Sequence, residues 1–233
     1  MEVMKCWICG QEGNTGEHMI KASDLRSYFG DISQKSPIFF HTSDKRNIPV
    51  GTLKSKRFKF DVLICNKCNS ALTQPYDRSW ESLSVYLRSN WPDILKSRKI
   101  NLEKAFPGRV HRSMLFVHLF FVKLFGCKIV ESKAPIDTGS LSEALLKKKA
   151  HKDIFIAFGP RPGKVDYKYA GLTPIHSMDI DGVSAFATWL YMIDKLAVNV
   201  IYAPKYSADG DVLDILTFCL RWARKSRCHV NHE

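Results

Sequence analysis

The chain has 233 residues, 45% of them apolar and 25% charged, enough for one large domain or two small ones with a sizeable core; disorder, collagen and coiled coil are excluded on composition. Lys and Arg number 35 against 23 Asp and Glu, a net charge of +12 that points to an anionic partner without identifying it. The excess is spread, +7 over residues 1–110 and +5 over the rest, so it decorates folded surface and is not a basic tail.

Met1 to Gly10 already holds Cys6, Trp7 and Cys9 and lacks the apolar run of a secretory signal, so a soluble, cytoplasmic protein is expected. Seven cysteines, an odd number, argue against a secreted disulfide framework. Four of them form two pairs of identical spacing, Cys6-Trp-Ile-Cys9 and Cys65-Asn-Lys-Cys68. Two such knuckles supply the four sulfurs of a tetrahedral structural zinc site, which leaves no position open for chemistry. The ion would clip together the long segment between them.

Within that segment lie Glu17-His18, and then Ser23 to Gly30, which reads as a short helix capped by Ser23 and closed by Gly30. Lys54, Lys56, Arg57 and Lys59 put four cations in six residues and alternate with Phe58 and Phe60, the pattern of a strand or hairpin arm whose cations could track a phosphate backbone. Phe58 to Ile64 reads as a strand running into the second knuckle. Asn69 follows Cys68 directly, and a helix comes next with Trp80, Leu83, Ser84, Leu87 and Trp91 on one stripe. Asn69 and Asp77 each have a second reading as helix caps.

The order CxxC, Glu-His, strand, CxxC-Asn, then an acidic residue at a helix start resembles the HNH endonuclease family, the ββα-metal nucleases in their zinc-containing form; Cys68 to Asp77 is similar to the family's CNxxxTQPxD sequences. The resemblance covers roughly residues 6–91. It implies that His18 is the general base that takes a proton from the attacking water, a task suited to an imidazole. It also implies that Glu17, Asn69 and Asp77 ligate a catalytic Mg2+ or Mn2+, for which oxygen ligands are apt. Lys21, Arg26 and Arg78, with the four cations of 54–59, are the candidate nucleic-acid contacts. Two positions depart from the pattern: Phe60, followed by Asp61, stands where the middle Asn is usual, and Lys21 replaces a Pro.

The expected fold class is α+β, a zinc-bound ββα-metal module over 1–100 followed by a mixed accessory or recognition region over 101–233. In the latter, His111 to Phe125 reads as a helix bounded by Pro107-Gly108 and Gly126, with His118 a core or boundary histidine. The apolar stretch Met114 to Cys127, interrupted by His118 and Lys123, is too short to span a bilayer. Ser140-x-x-Glu143 is a capping-box signature for a helix reaching Lys149. Asp153–Phe158, Val165–Ala170 and Ala197–Tyr202 read as strands; Ser184–Leu196 is a strand pair around Trp189 or an amphipathic helix, with strands preferred. An amphipathic segment, Val212–Arg224, and a basic run close the chain.

The expected activity is metal-dependent hydrolysis of DNA phosphodiesters, preferably on double strands, in a restriction, defence or mobile-element setting, with a homodimer or a larger defence complex as the assembly and no membrane. The alternatives are a catalytically inactive zinc scaffold that binds nucleic acid or acts as an adaptor, and, further down, an RNA nuclease.

Overall fold

The computed structural model describes residues 4–163, 167–180 and 183–204. Helices and antiparallel strands mix along the chain, compatible with the α+β class. After the first knuckle, β1 (Thr15–His18) pairs with β4 (Lys59–Ile64). The chain between them carries α1 (Ala22–Phe29) and a small hairpin, β2 (Ile38–Phe40) with β3 (Ile48–Val50). The second knuckle leads through one π-type turn, Lys67–Leu72, into α2 (Gln74–Ser89), α3 (Trp91–Ser97) and α4 (Leu102–Ala105).

The centre of the molecule is α5 (Val110–Ser132), with α6 (Gly139–Lys147) against it. A five-stranded antiparallel sheet follows, built from β5 (Ile154–Pro160), β6 (Ala170–Leu172), β7 (His176–Ile180), β8 (Val183–Ile193) and β9 (Leu196–Tyr202). Its order is β5-β9-β8-β6, with β7 also on β8. Ser184–Leu196 is therefore strand and hairpin turn, with Trp189 fully buried. The segment Val212–Arg224, the basic run after it and the start of Val165–Ala170 lie outside the described residues; of residues 167–170 only Ala170 is strand, where β6 begins.

Helix α5 is apolar on every side because it is surrounded. Its faces meet α2, β4, α6 and β5. By length and composition it is the one helix among the described residues that could cross a membrane, and two-thirds of its most apolar stretch is buried inside the fold. Trp80 of α2 stacks on Phe120 with centroids 5.6 Å apart and meets Phe121 and Tyr191 edge-on, at 4.7 and 5.6 Å. One continuous core thus runs from Cys6 to Val200, shared by the residues on both sides of position 100.

Several local expectations are corrected. Gly126 does not end the helix; α5 runs 23 residues, on to Ser132, and Gly126 is the place where the Trp7 ring lies against its backbone. Ser23 does not cap α1: Lys21 holds that position without a side-chain bond, and Ser23 Oγ donates instead to Glu81 on α2, 2.7 Å away. Gly30, at φ 84°, does close α1. The capping box at Ser140 is not formed. The Asp137 carboxylate accepts from the Gly139 and Ser140 N–H groups, at 3.1 and 3.4 Å, and an anion at that end suits the helix dipole better than a hydroxyl. That helix stops at Lys147, with Lys148 left-handed. The cation run is not one strand: Lys56–Phe58 is a 3-10 turn, held by the Ser55 hydroxyl accepting from Arg57 N–H, and extended backbone begins at Lys59.

His118, half-buried on α5, accepts the His151 backbone N–H at its Nε2, 3.0 Å away. Burial, with His151 adding to it, pushes its pKa down from the ordinary 6.5 to about 4. An unfolded chain takes up this proton first as the pH falls, so stability is complete above about 6.5 and declines toward about 4, by up to about 3 kcal/mol. Urea midpoints measured across that range should fall for the native chain and flatten in part for His118→Gln.

A Cβ at position 126 would overlap the Trp7 ring. Gly126→Ala should therefore cost about 1–3 kcal/mol by forcing the ring off the helix, read as a lower urea midpoint.

Candidate metal centre and histidine cleft

The two knuckles converge. The sulfurs of Cys6, Cys9, Cys65 and Cys68 all lie within 4.8 Å of one another, and Cys9 Sγ is 3.5 Å from Cys65 Sγ. Tetrahedral zinc thiolate needs sulfurs ~3.8 Å apart, which follows from a ~2.3 Å bond, so the donors present fit such an ion. Local backbone explains the arrangement. Gly10, at φ 74°, turns the first knuckle so that its N–H bonds Cys6 O, and in the second the Cys68 N–H donates to Cys65 Sγ at 3.3 Å. Burial pushes the Cys9 and Cys68 thiols up; at Cys65 the Cys68 N–H and the neighbouring sulfurs outweigh burial and hold the thiol below its ordinary value.

The cluster is docked as well as closed. Trp7 Nε1 donates to Cys127 Sγ on α5, 3.4 Å away, and Ser142 Oγ on α6 donates to Ile8 O. Cys127, fully buried, has its pKa pushed up to about 12 by that burial.

The β1–β4 pair carries the next group of residues. Thr15 and Gly16 face Ile64 and Leu63 in register, but His18 faces Lys59, so extra residues of β4 bulge opposite Glu17. A bulge re-aims side chains. Glu17 is turned inward, 5% exposed, while His18 stays half-buried at the strand end. The His18 ring nitrogen Nε2 is 3.1 Å from Leu53 O. A carbonyl only accepts, so Nε2 carries the proton and Nδ1 keeps a free lone pair.

Leu53 also lines an open cleft of about 390 Å3 together with Arg26, Gly30, Asp31, Ile32, Thr52 and Lys54. Two of the expected phosphate contacts, Arg26 and Lys54, thus share a cleft with the residue that orients His18. Lys56 and Arg57 are exposed on the turn that follows, and Lys59 lies across Gly16. Arg78 is exposed on α2 and is not among the cleft residues. Lys21 turns the other way and pairs with Asp77 and Glu81, each at 3.4 Å.

The three expected divalent-ion ligands have other partners. Asn69 Nδ2 donates to Thr15 Oγ1 at 3.1 Å and fastens the π-type turn to β1. Asp77 is neither a cap nor a free ligand, since it lies inside α2 with Oδ1 2.8 Å and Oδ2 3.4 Å from the ammonium groups of Lys123 and Lys21. Glu17 Oε1 lies 3.1 Å from the same Lys123 Nζ. With two of the three ligands already held by ammonium groups, this set as placed does not fit a divalent ion. The Lys123 side chain is 0% exposed. Burial alone would lower its pKa, but the Glu17 and Asp77 carboxylates outweigh that and hold it above the ordinary lysine value, and Thr73 Oγ1 adds a longer contact at 3.4 Å. Lys123 is the member of this cluster that sequence reasoning missed. Its signal was a lone charge in the middle of an apolar helix, which demands a buried partner.

A second polar cluster braces the strand-to-helix turn after His18. Asp24 accepts from Trp80 Nε1, Ser84 Oγ, Arg88 and Tyr191 OH, at 2.7 to 3.3 Å. Burial raises its carboxyl pKa against the pull of Ser84, Arg88, Trp80 and Tyr191. The same Tyr191 hydroxyl accepts the Lys21 N–H at 3.3 Å, so strand β8 reaches across to hold the chain three residues past His18.

Comparison with protein families, with curated proteins and with solved structures gives no match.

Metal analysis of the purified chain should find one tightly held zinc, and Cys65→Ser should lose it. Because the ion joins segments about 56 residues apart, its removal should unfold residues 4–72 cooperatively, seen as loss of amide exchange protection there.

Proposed function

We propose that this chain is a nucleic-acid endonuclease of the HNH type that hydrolyses DNA phosphodiesters, with zinc in the four-cysteine site building its scaffold. The observation that carries the reading is His18: a half-buried imidazole at a strand end, its Nε2–H fixed by Leu53 O and its Nδ1 left as acceptor. Nδ1 is the atom that takes the proton from water as the water attacks phosphorus. Arg26 and Lys54, lining the cleft that Leu53 shares, hold the phosphate and offset its developing charge. The order of strand, strand and helix between the knuckles and α2, and the net charge of +12, support a duplex as the partner.

A second reading, a zinc scaffold that binds nucleic acid without cutting it, is favoured by one observation: Glu17 and Asp77 have a structural task in holding Lys123. Incubation with plasmid, single-stranded DNA and RNA, with and without Mg2+ or Mn2+, separates the two. The nuclease reading expects plasmid cutting that falls about 10²–10⁴-fold in His18→Ala. Equal cutting by both proteins overturns it, and tight DNA binding without cutting on any substrate establishes the scaffold.

A further inference from the structure

The Glu17–Lys123–Asp77 cluster has no role in the proton transfer assigned to His18. Its three groups come from separate elements, β1, α5 and α2, and meet at one ammonium: Lys123 Nζ is 3.1 Å from Glu17 Oε1 and 2.8 Å from Asp77 Oδ1. The lysine is 0% exposed, and Glu17 and Asp77 are 5% and 9% exposed. Water therefore screens these charges little. The second Asp77 oxygen is held by Lys21, which also pairs with Glu81, so each carboxylate around this point already has an ammonium partner, two ammonium groups serving three carboxylates. A divalent ion placed between Glu17 and Asp77 would meet a buried positive charge a few ångströms away, with no solvent to soften the repulsion.

The geometry points to Lys123 as the resident cation of this centre: its ammonium stands between Glu17 and Asp77 where a divalent ion would have to stand, and it keeps such an ion out. The inference deepens the nuclease reading and rests on it for the choice of ion, while the ion pairs themselves stand without it. Lys123 is buried too completely to touch a phosphate, so its role is to position the two carboxylates and to set the cation preference of the site. Removing the ammonium leaves Glu17 without a cation and Asp77 with Lys21 alone, which destabilises the fold and at the same time creates a site for an oxygen-seeking ion.

The test uses the full chain with its cysteine-bound metal in place and Mn2+ as the probe, because Mn2+ favours oxygen over sulfur and spares the knuckles. Free Mn2+ is followed by its electron paramagnetic resonance signal, and unfolding temperature is measured with and without the ion. The native chain should leave Mn2+ free and unfold at the same temperature in its presence. Lys123→Met should unfold at a lower temperature, bind Mn2+ at least about tenfold more tightly than the native chain, and recover part of the lost temperature when the ion is added. Lys123→Gln, which keeps a hydrogen-bond donor, gives the same comparison if the Met variant does not fold. Mn2+ uptake by the native chain that is lost in Glu17→Gln overturns the inference whatever the lysine variants do. So does a folded lysine variant that takes up no Mn2+. None of these measurements reads cleavage, so an inactive protein leaves the result standing and cutting of DNA does not decide it.

Discussion

A helix apolar all the way round has to be covered on every side, and α5 imposes that constraint on the whole chain. The β1–β4 pair, α2, α6 and the first strand of the large sheet all lie against it, and the Trp80, Phe120, Phe121 and Tyr191 rings interlock where α2, α5 and β8 meet. A charge in such a helix is tolerated only with its counter-charges brought to it. Lys123 therefore helps fix where β1 and α2 stand relative to each other.

The site follows from that placement. Glu17 is drawn inward by the buried ammonium, and the bulge opposite it lets the adjacent His18 remain at the surface of the strand end, where Leu53 O sets its tautomer. Asp24 and Tyr191 fix the turn beyond it from the opposite side. The cleft residues come from α1, the chain just after it and the loop after β3, so Arg26 sits on a helix while Lys54 and Leu53 sit on a connection.

Local pattern carried much of this. Cysteine spacing named the four cysteines now found together, the run into Cys65 read correctly as strand, and Trp80, Leu83, Ser84 and Leu87 proved to be the buried stripe of α2, whereas Trp91, expected on the same stripe, begins α3. What local pattern missed was settled at long range. Gly126 reads as a helix stop until an indole from 119 residues earlier is seen to need the missing Cβ. Ser140 reads as a cap until the helix is seen to start one residue earlier, with Asp137 accepting the Gly139 and Ser140 N–H groups and the Ser140 hydroxyl 3.0 Å from His151 Nε2. Asp77 reads as a metal ligand or a cap until Lys123 and Lys21 arrive from elsewhere in the sequence. In each case the side chain's chemistry was legible and its partner was not.

The docking of the first knuckle has a consequence for synthesis. Cys65 and Cys68 leave the ribosome roughly sixty residues after Cys9, but the α5 surface that receives Trp7, 120 residues along at Cys127, is made later still. At ~5–20 residues per second, the nascent chain passes several seconds with its four sulfurs complete and the Trp7 indole uncovered. An ion taken up by the four cysteines would then be captured before core docking, and in that interval it would join the β1–β4 pair in holding the amino-terminal segment in shape.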